Sequence, residues 1–171
     1  MKHLCNIPFH VPNSEEEPGS FASVRKHDIH CGVDIYLPEG TPISFLRHGQ
    51  VVAIEPFTGP SVGSPWWLDT WAVYVWNGYE TDVYGELYKP AHLQVGQRVI
   101  SGMLCGNIAK VLKNMKGKPM TMLHFEQYEG KVLDSAVWEL GKPRPVDLID
   151  PTEFLLKVCK ENICQMMKEM L

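Results

Sequence analysis

The chain has no Cys-x-x-Cys pair, no dense basic field, and no apolar run near the ~20 residues that a bilayer demands. Each absence removes a class of function. Five cysteines, at 5, 31, 105, 159 and 164, are odd in number and irregularly spaced. They indicate neither a disulfide framework nor a zinc ribbon, and reduced thiols in a cytosol are the simpler expectation. The stretch from Met1 to Pro8 has no apolar segment of signal-peptide length, which sets the same cytoplasmic expectation and leaves no membrane role. Sixteen Lys and Arg against twenty Asp and Glu give a formal net charge of −4. The basic residues are scattered, apart from a loose group at Lys110, Lys113, Lys116 and Lys118, so nucleic acid is not an expected partner. No internal repeat is visible.

What is present suits one mainly β domain. A chain of 171 residues with 44% hydrophobic content can bury one sizeable core. Trp71–Trp76 and Thr81–Tyr84 flank Asn77-Gly78, the strongest short-range hairpin signal. A second hairpin is expected between Pro42 and Glu55, turning at Arg47-His48-Gly49, with further strands near Met103–Ile108 and Met120–Tyr128. Only the C-terminus reads as a helix: Asp150 can cap it, Pro151 suits its first position, and Glu153 adds a box-like start. Leu155, Cys159, Ile163, Met166 and Met170 form its apolar stripe, expected to pack on the sheet or on a second subunit. The expected layout is an N-terminal arm over 1–24, with Pro12–Gly19 solvated, a single antiparallel β-sheet or sandwich-like domain over 25–151, and the amphipathic helix over 152–171.

Within that layout, His30, Asp34 and His124 carry the chemistry. Two imidazoles and one carboxylate leave a zinc ion one net positive charge and one open tetrahedral position, the composition of a catalytic site. An extended chain would carry His30 and Asp34 roughly 13 Å apart, so the backbone must turn between them, and Gly32 can supply the turn. Strand alternation puts Met122, His124 and Glu126 on one face, and Leu123 and Phe125 on the other. Seven histidines also produce a His-x-x-x-Asp spacing by chance, so the residues alone leave a shared metal as one of two readings. Cys31 beside His30 is a further potential ligand, although a buried thiol is the commoner role.

The order of motifs decides more than any one of them. His30-Cys31-Gly32-Val33-Asp34-Ile35, then Gly40-Thr41-Pro42 and Gly49-Gln50-Val51, then Gly96-Gln97-Arg98-Val99 through Gly102 to Gly106, and finally Leu123-His124-Phe125-Glu126 resemble the LytM/lysostaphin-type zinc metallopeptidase domain. The resemblance runs in order over roughly 25–155. It implies zinc on His30, Asp34 and His124, and a peptide substrate, which in that family is a cell-wall cross-link. Two positions depart from it. The family's Tyr-x-His-Leu reads Tyr84-Gly85-Glu86-Leu87 here, and Met122 replaces the first histidine of its His-x-His pair. Both non-ligand histidines around the reacting carbonyl are therefore absent.

Glu86 can take over as general base, since a glutamate does this work in His-Glu-x-x-His metalloproteases. Met122 cannot stabilise an oxyanion by donating a hydrogen bond, because a thioether is only a weak acceptor; it is expected to wall the pocket with Tyr84 and Glu126. The Gly- and Pro-rich loop from Pro56 to Trp67 is expected on the rim, where Trp66 and Trp67 either line a groove or cover the sheet's edge. The leading expectation is a zinc-dependent peptide-bond hydrolase. The alternative keeps fold and metal but only binds a peptide or protein partner, and a purely structural zinc fits less well with three ligands.

Overall fold

The computed structural model describes residues 3–114 and 120–169; Met1, Lys2, Lys116, Lys118 and Met170 of the sequence reading lie outside them. The strands are β1 (Asp28–Ile29), β2 (Val33–Tyr36), β3 (Pro42–Ser44), β4 (Gly49–Pro56), β5 (Trp71–Trp76), β6 (Glu80–Leu87), β7 (Arg98–Val99), β8 (Leu104–Asn107), β9 (Met122–Glu129), β10 (Trp138–Glu139) and β11 (Leu148–Ile149), followed by helix α1 (Thr152–Glu169). A seven-stranded antiparallel sheet runs β11-β9-β6-β5-β4-β7, with β2 beside β11 on the outer edge of β9. The fold is mainly β, antiparallel, with one C-terminal helix. None of its described helices is long and apolar enough to cross a membrane.

The hairpin over Asn77-Gly78 forms as its sequence predicts. The Asn77 side chain accepts the amides of Tyr79 and Glu80, and Gly78 takes φ 105. The second expected hairpin does not form. β3 pairs with β8 in a separate two-stranded sheet, while β4 pairs with β5 and β7. Between them Phe45 and Leu46 are buried, their amides bonded to the Met103 carbonyl and the Tyr84 hydroxyl, so the chain crosses between layers there.

Apolar alternation gives the main sheet two covered faces. One carries Val33, Ile35, Val73, Val75, Tyr84, Leu123 and Phe125 against Ile43 of the small sheet, against Phe45 and Ile108 that follow its two strands, and against α1. The other carries Ala53, Ala72, Tyr74, Val83 and Tyr128 beneath Cys31, Leu148, Phe21, Phe57 and Trp138. His124, between core-facing Leu123 and Phe125, belongs to this second face.

The ends of the chain correct two expectations. Residues before 25 are not an arm standing off the domain: Leu4, Cys5, Phe9 and Val11 are buried, and the Leu4 carbonyl accepts the Ser44 amide. Asn13–Glu16 are exposed, whereas Val11, Pro12, Gly19 and Ser20 on either side are buried. Helix α1 starts as read, with the Thr152 amide donating to the Asp150 carboxylate. Its buried stripe, however, is Leu155, Val158 and Asn162, while Ile163 is 42% exposed. Asn162 accepts the Leu4 amide and donates to the Ile7 carbonyl, so a polar residue earns the inward position by satisfying the N-terminal backbone.

Candidate metal centre

Strand pairing builds the centre. β2 runs antiparallel to β9 with Asp34 directly opposite His124, which brings residues 90 apart in sequence into one cross-strand pair. His30 precedes β2 in a loop whose backbone is tied twice, its amide to the Ser23 carbonyl and its carbonyl to the Ala22 amide. Gly32 lies between, but it supplies space and not an unusual turn. A Cβ there would stand 2.6 Å from the Phe125 carbonyl oxygen and 2.8 Å from His124 Nε2.

Three donor atoms converge. His30 Nε2 is 3.2 Å from Asp34 Oδ1 and 3.1 Å from His124 Nδ1, and His124 Nδ1 is 2.8 Å from Asp34 Oδ1. A tetrahedral ion with bonds of about 2.0–2.1 Å holds its ligand atoms about 3.3–3.4 Å apart, so the triangle needs only a few tenths of an ångström of spreading. Among the described residues no other His, Cys, Asp or Glu joins this group. That leaves the fourth tetrahedral position without a protein ligand.

The opposite nitrogens fix which lone pairs face inward. His30 Nδ1 donates to the Ser20 carbonyl at 2.9 Å, and His124 Nε2 donates to Glu126 Oε1 at 2.9 Å. Both leave the inner nitrogen available to a metal, the usual arrangement behind ligating histidines. Glu126 is itself held by the Tyr128 hydroxyl at 2.9 Å and the Ser135 hydroxyl at 2.6 Å. It therefore stands behind His124 and is 2% exposed, so it does not wall an open pocket as the sequence reading expects. Asp34 Oδ2 accepts Arg25 Nη2 at 2.7 Å, leaving Oδ1 to the centre.

These contacts set the charges. Burial alone would raise the Asp34 carboxyl, but the His124 and His30 rings hold it well below the usual range. Burial lowers the His30 imidazole, and Asp34 offsets only part of that. For His124 burial is outweighed by hydrogen bonds to Asp34 and Glu126, which raise its pKa to about 10. A metal held by His30, Asp34 and His124 would have to displace a proton from the inner nitrogen of His124. Because zinc competes with that proton below pH ~10, zinc affinity is expected to rise about tenfold per pH unit across the neutral range. Calorimetry in buffers of different ionisation heat should show release of about one proton per zinc at pH 7. Cys31 is no rival ligand: its thiol donates to the Ala136 carbonyl and burial pushes it up to about 11.

Glu86 reaches this face by a backbone irregularity. Trp71 pairs with Leu87 and Val73 with Tyr84, so Ala72 stands against both Gly85 and Glu86. This is a β-bulge. Simple alternation would point Glu86 with Tyr84 into the core; instead Leu87 takes the core side and Glu86, at φ 62, swings to the face of His124. Left-handed backbone costs a non-glycine residue about 1–2 kcal/mol. Among the described residues only Glu86 and Ala22 adopt it, and Ala22 lies in the loop that holds His30. Both left-handed residues therefore sit beside the three converging side chains.

Tyr84 consequently does not line the pocket. It is buried on the opposite face, edge-on to Phe45 and Phe125, with its hydroxyl accepting the Leu46 amide. Met122 is half-buried opposite Tyr36, two residues along β9 from His124 and on the same face. Trp66 is exposed and Trp67 half-buried, the latter bridging to Leu112 in a loop whose Pro65 and Leu68 are bonded to Lys113 and Val111. Ser20, Arg25 and Thr70 carry no signal in the sequence, while Phe57 and Thr58 belong to the loop expected on the rim but are not singled out there. Phe57 packs its ring 5.2 Å from that of His124, over the space left by Gly85, where a Cβ would meet it at 2.8 Å.

No family model and no curated protein matches the sequence. Solved structures do match: the fold is that of the lysostaphin-type peptidase domain. The chain is similar to LytU at 20% identity with TM-score 0.57, covering 91% of this chain and 92% of that one. It is similar to lysostaphin in solution at 18% identity with TM-score 0.55, covering 92% of this chain but 56% of that one. It thus spans little more than half of the lysostaphin chain. A mutant catalytic domain of the prophage-encoded protein EnpA from Enterococcus faecalis matches at 18% identity, TM-score 0.50, over 84% of this chain and 89% of that one.

Proposed function

We propose that this protein is a zinc-dependent peptide-bond hydrolase, with His30, Asp34 and His124 as ligands and Glu86 as general base. The observation that carries the reading is the inward triangle of Nε2, Oδ1 and Nδ1, each histidine fixed from behind. When bound, zinc would polarise the scissile carbonyl and acidify water. The protein's own part is to hold the ligands dry and to move the proton. Glu86 is close enough for His124 and Asp34 to act on its charge, yet its carboxylate is outside the ligand triangle. Burial raises its pKa, which suits a base that must release its proton again near neutrality. One similar structure is described as the antimicrobial peptidase lysostaphin; a cell-wall-derived peptide, which the sequence resemblance implies, is the first substrate class to try.

One observation favours a second reading, a binding module that keeps the metal without turnover. His30, Asp34 and His124 are only 2%, 5% and 8% exposed, and Phe57 lies against His124. A peptide library incubated with zinc-loaded protein separates the two, with Glu86→Ala as control. Cleavage abolished by that substitution supports the hydrolase, and binding without cleavage supports the module.

Met122 gives a further test. Its strand position faces the centre beside His124 but offers no donor to a developing oxyanion, whose loss elsewhere costs about 10²–10³ in rate. Met122→His is expected to fold, keep its zinc and raise basal peptidase activity by about tenfold or more. An unfolded variant would show that the side chain points into packed core.

A further inference from the structure

We propose that Thr58 and Thr70 are positioning residues for Glu86, clamping one carboxylate oxygen so that the other is presented to the reacting water. The inference rests on the hydrolase reading above. Thr58 and Thr70 close the base of the loop that follows β4. The Thr70 amide donates to the Thr58 carbonyl at 3.0 Å and the Phe57 amide to the Thr70 carbonyl at 2.8 Å, extending the β4–β5 pairing by a rung. That rung sets the two hydroxyl oxygens 2.7 Å apart. Both then lie against Glu86 Oε2, Thr70 at 2.7 Å and Thr58 at 3.0 Å; each hydroxyl carries one proton, so the closer Thr70 donates to the carboxylate, while Thr58, which also lies 3.4 Å from the Leu68 carbonyl, supplies the second hydroxyl on the same oxygen. Oε1 receives no hydrogen bond among the described residues.

A clamp of this kind does more than satisfy a buried charge. Two hydroxyls shared over both oxygens would satisfy it equally well; two on one oxygen fix the rotation of the carboxylate as well as its place. The bulge aims the side chain and the threonines hold its far edge. The loop that supplies Thr58 also supplies Phe57, so the residue that orients the base and the ring that roofs His124 are neighbours. Gly59 makes the rung possible, since it takes φ 108 and a Cβ on it would stand 2.5 Å from the Asp69 backbone.

The charged groups that act on Glu86 are His124 from β9 and Asp34 from β2. Neither changes when a threonine is replaced, which isolates the hydroxyls. Thr70→Val and the Thr58→Val/Thr70→Val pair keep side-chain shape and remove donors to the charged carboxylate. Removing such donors raises its pKa, by about one pH unit or more. The readout is a ¹³C NMR titration of the Glu86 carboxyl in zinc-loaded protein, with zinc content measured alongside. In active protein the acid limb of kcat/KM is expected to move up with it, with kcat reduced about tenfold and KM unchanged, and Thr70→Ser should restore both. A Glu86 titration unmoved in the double variant overturns the clamp, whether or not the protein cleaves peptides. Absence of cleavage by the parent, with the titration moved, retires the hydrolase reading and leaves Thr58 and Thr70 as anchors of Glu86 without a catalytic consequence.

Discussion

His30→Ala, Asp34→Ala and His124→Ala are each expected to strip the protein of stoichiometric zinc, where the parent binds about one ion per chain by elemental analysis. The reason lies in how the three arrive. His30 comes from a loop tied to Ser20 and Ser23, Asp34 from β2 and His124 from β9, so none can stand in for another. With one ligand gone only two protein donors remain, too few for a tight site. The variants should differ in what else they lose. Asp34→Ala also releases Arg25, and His124→Ala leaves Glu126 buried with only the Tyr128 and Ser135 hydroxyls. An unpaired buried charge destabilises by several kcal/mol, so the His124 variant should melt lowest of the three. Full zinc occupancy in all three would remove the site.

The three converging side chains are legible in the sequence because each sits in a short motif whose local geometry is simple. Strand alternation around Leu123-His124-Phe125 alone assigns His124 to the face away from the core, and the structure agrees. Asn77-Gly78 likewise encodes its turn within a few residues. What alternation cannot show is a bulge. Reading Tyr84 and Glu86 as two residues apart on one strand puts them together; the extra residue opposite Ala72 sends them to opposite faces. Gly32 shows the same limit, since its role is to clear room for His124, which only strand pairing reveals.

The supporting residues were illegible for a different reason. Ser20 contributes a carbonyl, which every residue has, and Arg25, Thr58 and Thr70 carry no spacing that ties them to their partners. Their positions follow from loop closure in three dimensions. The N-terminal segment was read as an arm because Pro, Asn and Glu dominate 12–18; its anchors, Leu4, Phe9 and Val11, are too few and too irregularly spaced to signal packing. Asn162 inverts the helix stripe by the same logic, buried for its hydrogen bonds and not for its hydrophobicity.

Glu86→Gln is expected to leave zinc content unchanged and to lower peptide turnover by about 10²–10⁴-fold, the usual size of a general-base contribution. The amide retains an oxygen to accept the Thr58 and Thr70 hydroxyls, and it has the length of the carboxylate. The bulge and its φ of 62 are therefore undisturbed, and a change in rate reports chemistry and not collapse of the site. Only proton acceptance is lost. Zinc should be retained because Glu86 lies outside the ligand triangle, which separates this variant from the three ligand substitutions. Steady-state turnover and elemental analysis on the same preparation provide the test. A Glu86→Gln protein that cleaves at the parent rate would show that the proton goes elsewhere. A variant that loses zinc together with activity would instead draw Glu86 into the coordination sphere, which would make the fourth position a protein ligand and the metal structural.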